Sequence, residues 1–104
     1  MQTLRIVESS GASPTLDDFS FDRQKSLADA IAGALLGAPM LLSWYDAGRG
    51  IESPNGVSEC SHAAPTDGVR HYAASRGGAL AIELQRAIGE PAIYSVFCYL
   101  DLGA

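Results

Sequence analysis

The chain has 104 residues, 47% of them hydrophobic and 18% charged, which suits one globular domain over residues 1–104 and excludes a disordered one. Its formal net charge is −5, with Lys25 the sole lysine and the arginines scattered, so it lacks the electropositive stripe that nucleic-acid binding requires. No run approaches the roughly 20 apolar residues of a membrane span, and MQTLRIVESS lacks the basic start and apolar stretch of a signal peptide. A cytoplasmic setting without a membrane is therefore expected, with Cys60 and Cys98 as thiols.

The first element is Leu4 to Glu8, LRIVE, which alternates and is β-branched at Ile6 and Val7, as a strand should be. Residues 9–19 are rich in Ser, Gly, Pro and Asp and read as an irregular loop. A helix follows, with Leu27, Ile31, Ala34 and Leu35 as one stripe, Ser20 or Asp22 as its cap, and Gly37 and Pro39 as its stop. Gly33 weakens it slightly and suits close packing on a sheet.

Met40 to Tyr45, MLLSWY, is apolar on both faces, as a covered central strand is. Residues 46–65 form one long connection. PTDGVRHYAASRGG then reads as a second helix, N-capped by Thr66, with Asp67 in its first turn and Gly77-Gly78 at its end. Val69, Tyr72, Ala73 and Arg76 share one of its faces. Ala79 to Gln85 and Ile93 to Asp101 read as two strands joined by a loose hairpin over Arg86 to Ala92. Strict alternation in the last strand places Tyr94, Val96, Cys98 and Leu100 on one side, with Ile93, Phe97 and Tyr99 on the other.

The order β-α-β-α-β-β predicts an α/β (α+β) fold: a mixed four-stranded sheet, two helices mainly on one face, and a parallel crossover between the first two strands. One helical layer leaves an apolar sheet face open, which predicts a homodimer.

Long irregular loops in compact domains are usually functional or disordered, and 46–65 is dense in chemistry-bearing residues. In open α/β sheets, ligands sit beyond the carboxyl ends of parallel strands, where Asp46 falls. Three chemistries compete there. Cys60 is a candidate nucleophile, with His62 and Asp46 as further catalytic candidates, since a reactive cysteine needs a nearby cation or helix N-terminus, which His62, His71, Arg49 or Arg70 could supply. Cys60, His62 and Glu59 are candidate metal ligands, with Asp46 or Glu52 as further oxygen donors, although no Cys-x-x-Cys or His-x-x-x-His is present. Trp44, Tyr45, Asp46, Arg49 and Glu52 are candidate ligand-binding residues, an aromatic pair beside acids and a base. Against these stand plainer roles: a thiol packed under a loop, an aspartate capping a turn, and one aromatic of the pair in the core. His71 reads as a surface or rim residue and Cys98 as structural.

The runs SWYD…ESP…VSEC, YAASRGGALAIEL and YSVFCYLDL resemble a family of small prokaryotic proteins of unknown function, over about Leu27 to Asp101. The resemblance implies a compact α/β domain and carries no activity or cofactor. The residues favour a binding or regulatory module with its ligand or partner site in the 46–65 loop. The rival is a thiol- or metal-dependent enzyme using Cys60 and His62.

Overall fold

A computed structural model describes residues 1–8, 20–57, 64–86 and 92–103. The elements run β1 Gln2–Val7, α1 Phe21–Leu35, β2 Pro39–Asp46, β3 Ile51–Ser53, α2 Pro65–Ala74, β4 Leu80–Gln85 and β5 Ile93–Asp101. The fold is α+β, with one mixed sheet in the order β1-β4-β5-β2-β3. β1 pairs parallel with β4, and every other neighbouring pair is antiparallel.

One expectation about the sheet is corrected. It has five strands and not four, because β3 lies inside the stretch read as one long loop. Three residues between Gly50 and Pro54 are too few to show alternation. The first crossover is parallel, as expected, but it does not join neighbours. β1 and β2 point the same way, but β4 and β5 lie between them. The late hairpin β4–β5 fills the centre that the early β-α-β unit leaves open.

Ser20 caps α1, its Oγ accepting from the Arg23 N–H at 3.3 Å. The buried line of this helix is Gln24, Ala28 and Ala32, with Phe21, Leu27, Ile31 and Leu36 beside it. The stripe expected through Ala34 and Leu35 is corrected, since Leu35 is 59% exposed. Two alanines face the sheet and let the helix approach closely, while the larger Leu27 and Ile31 fill the flanks. Gly33 points outward, and a Cβ there meets nothing within 4 Å, so it has no part in that close approach.

The N-cap of α2 is Ala64 and not Thr66. Asp67 accepts the Ala64 N–H at 3.1 Å, the backward bond of a capping box from the third helical position. The helix stops where Gly77 turns to φ +79° and the Gly78 N–H donates to the Ala73 carbonyl at 2.8 Å.

The two helices lie on opposite faces of the sheet, which corrects the one-sided arrangement. α1 packs with Leu80, Ile82, Leu84, Phe97 and Tyr99. Val69 and Ala73 of α2 pack with Ala81, Val96 and Cys98. These sets alternate along β4 and β5, as residues on two faces of one sheet must. Burying a side chain such as Phe97, with no exposure at all, stabilises the fold by roughly 1.5–3 kcal/mol. Each face of the sheet thus carries one helix.

Irregularities in the ladders reset that alternation twice. The β4–β5 register shifts between Leu84 and Gln85, so Tyr94 joins Phe97 and Tyr99 on the α1 side while Ile93 joins Val96 and Cys98. The expected grouping of Tyr94 with Val96 is thereby corrected. The β2–β5 register shifts between Leu41 and Ser43. Leu42 packs on the α2 side, and the Ser43 hydroxyl donates to the Val69 carbonyl of α2 at 2.7 Å. No helix among the described residues is long and apolar enough to cross a membrane.

Candidate functional site at the carboxyl edge of the sheet

β1, β2 and β4 all end at one edge of the sheet, at Val7, Asp46 and Gln85, and β5 begins there at Ile93. Asp46 is a buried polar residue of that edge, 5% exposed. Its Oδ1 accepts the N–H groups of Gly48 at 2.9 Å and Arg49 at 3.4 Å. Its Oδ2 accepts from Arg49 Nε at 2.5 Å. An aspartate closing a turn on the backbone two and three residues ahead is a role its short side chain suits. Gly50, at φ +64°, completes the turn and launches β3.

The same turn fixes Arg49. Its guanidinium lies 5.1 Å from the centre of the Phe21 ring, at the start of α1. Phe21 in turn contacts the rings of Trp44 at 4.7 Å and Phe97 at 5.4 Å. An acid, a base and an aromatic floor thus come together from α1, β2, β5 and the β2–β3 turn. The Arg49 side chain stays 57% exposed while its anchor, Asp46, is buried.

The five ligand-binding candidates divide between the faces. Trp44, Asp46 and Arg49 lie with α1. Tyr45 packs in the Val69 cluster under α2, and Glu52 stands opposite Tyr45 in the β2–β3 register, hence on that same face. The candidate nucleophile and metal ligands Glu59, Cys60 and His62 lie outside the described residues. Among the described residues, no three His, Cys, Asp or Glu side chains are grouped to hold a metal ion. His71 is exposed on α2. Cys98 has no exposed surface, and burial pushes its thiol up from the ordinary range, against a smaller opposing effect of its hydrogen bond with Ser43.

Two parts of this edge escape sequence reasoning. Phe21 reads only as the first residue of a helix, because its ring partners Trp44 and Phe97 belong to other elements. The second part joins residues far apart in sequence. The Tyr94 hydroxyl donates to Glu8 Oε1 at 2.6 Å, and Arg86 donates to that hydroxyl at 3.3 Å with its guanidinium 4.2 Å from the ring centre. No local pattern announces such a contact.

No curated protein and no solved structure matches the chain. Over residues 10–88 it matches the family DUF5619, a domain of unknown function, and the chain belongs to that family.

Proposed function

We propose that the protein is a small binding module that seats an acidic ligand, or an acidic side chain of a partner, at the carboxyl edge of its sheet beside Trp44, Asp46 and Arg49. The observation that carries this reading is the way Arg49 is held. Its Nε is taken by a buried carboxylate and its plane is near an aromatic ring, while no described residue accepts from its Nη groups. A guanidinium fixed in this way keeps a donor fork aimed outward and loses little freedom when an oxyanion arrives. The position supports it too, since ligands of open α/β sheets gather at this edge. We read the setting as cytoplasmic, and the WYD…ESP…VSEC run as the mark of a prokaryotic family.

Trp44 is the chain's one tryptophan and contacts Phe21, so its fluorescence reports on the site. Titration with acetate, succinate and citrate is expected to change that fluorescence saturably in the wild type and not in Arg49→Gln. An unresponsive wild type, or an unchanged response in the variant, would overturn the reading. Alkylation of Cys60 at neutral pH much faster than that of a free thiol would instead support the enzyme using Cys60 and His62.

A further inference from the structure

We propose a second site, on the opposite face of the sheet: Arg5 and Thr3 of β1, backed by Glu83 and Arg70, bind a phosphoryl dianion, either free phosphate or a small phosphate monoester.

Glu83 projects from the middle of β4 on the α2 side, and its side chain is 6% exposed. It accepts from three donors. Arg5 Nε reaches its Oε2 at 3.0 Å, Gln85 Nε2 reaches the same oxygen at 2.7 Å, and an Nη of Arg70 takes Oε1. Two guanidiniums therefore share one carboxylate. By formal charge this leaves an excess of one positive charge, in a chain whose net charge is −5. A lone structural ion pair needs no second arginine.

The spare donors point to what the cluster takes. Arg70 also donates to Thr3 Oγ1 at 3.1 Å, which turns the hydroxyl's own proton to other acceptors. Arg5 is held only through Nε, its side chain is 62% exposed, and no described residue accepts from its two Nη groups. Thr3 and Arg5 are two apart on one strand, so they share a face at about 6.6 Å along the chain. α2 packs over β2 and β5, and Thr3 and Arg5 remain exposed on β1. A guanidinium fork with a hydroxyl beside it offers donors from two directions. That suits the several oxygens of a tetrahedral dianion better than a single flat carboxylate.

The test is a nuclear magnetic resonance titration of the whole chain at low, matched ionic strength, with inorganic phosphate, glycerol phosphate and acetate as probes. Saturable shifts of the Thr3, Arg5 and Glu83 amides are expected with the phosphoryl probes. Comparable affinity for both identifies the phosphoryl group as the ligand, and tighter binding of glycerol phosphate identifies a monoester. Arg5→Gln should weaken binding by about tenfold or more, as loss of a charged hydrogen-bonding fork does. Arg5 is exposed, so this variant keeps its fold, and Thr3→Val gives a second, smaller loss. Arg49→Gln should leave these shifts unchanged, which separates this site from the one at the carboxyl edge. Absence of saturable shifts, equal binding of acetate, or an Arg5→Gln affinity equal to wild type would overturn the proposal.

Discussion

The Tyr99 hydroxyl donates to Asp29 Oδ1 at 2.7 Å and so bolts α1 to the middle of the sheet. Asp29 takes Lys25 Nζ on its other oxygen at 2.8 Å, one helical turn earlier. Tyr99 itself is 2% exposed. Burial first, and then the neighbouring carboxylate, push its phenol well above the ordinary tyrosine range. An acid raised in the folded state keeps the fold stable below the unfolded pKa, about 10, and loses that contribution as pH climbs above it. Alkaline unfolding should therefore begin above that pH, with tyrosinate absorbance from Tyr99 appearing only as the fold is lost. Tyr99→Phe should cost about 1 kcal/mol at neutral pH, as one hydrogen bond does, and should flatten the alkaline fall. Urea unfolding of both proteins across pH checks the two statements together.

A glycine within α1 and one just beyond α2 separate conformational cost from steric need. Gly33 sits in an exposed part of α1, where a Cβ meets nothing within 4 Å. Gly33→Ala should stabilise the protein by about 0.5–1 kcal/mol, by restricting the unfolded chain and favouring helix. At Gly78 a Cβ falls 2.8 Å from the Ala73 carbonyl oxygen, which is backbone and cannot swing away. Gly78→Ala should destabilise by roughly 1–3 kcal/mol, the usual range for overpacking. Thermal unfolding of the pair, run side by side, should move in opposite directions.

These contrasts show what was legible in the sequence. Element identity follows from composition and period, so both helices and four of the strands can be read from residues such as Ile6, Leu27 and Phe97. Side is harder to read. Tyr94 changes face because one register shift interrupts β5, and no residue type announces it. The opposite placement of α1 and α2 depends on β4 and β5 entering between β1 and β2, a long-range choice that local pattern does not encode. At the candidate site Asp46 and Arg49 can be read because they are close in sequence. Phe21 cannot, because its partner Trp44 belongs to another element.

Cys98 offers a check on the core beneath α2. With no exposed surface and a thiol raised by burial, it should not react in the native protein. In Cys60→Ser, a disulfide-exchange reagent should find no reactive thiol until denaturant is added, and then one. Rapid native labelling of that variant would mean that α2 lifts from the sheet far more readily than its buried Val69 and Ala73 imply.

Asp101 clasps the opposite edge of the sheet. Its carboxylate accepts N–H groups from Gly37, Ala38 and Gly103, and those bonds hold its carboxyl below the usual range. A depressed carboxyl supports the fold above its unfolded pKa of about 3.9 and loses that support as pH falls through the lower folded value. The turn after α1 should therefore loosen on acidification before the rest of the molecule. Hydrogen exchange at Gly37 and Ala38 should quicken in Asp101→Ala at neutral pH, with the β4–β5 amides unaffected.

Asp46 and Arg49 should answer differently to truncation, and the difference bears on function. Asp46 is buried and serves three N–H donors, so Asp46→Ala strands the turn that launches β3 and should cost roughly 1–3 kcal/mol. Arg49 is more than half exposed. Its ion pair and ring contact together should contribute about 0.5–1 kcal/mol, and Arg49→Ala should unfold close to wild type. If stability alone explained the pair, a weakly contributing arginine would need no buried carboxylate to aim it. Chemical denaturation of both variants, read beside the Trp44 titration, decides the matter. A near-normal Arg49→Ala that no longer responds to the acidic probes would separate binding from folding at this edge. An Arg49→Ala as unstable as Asp46→Ala would make the arginine a strut of the hairpin.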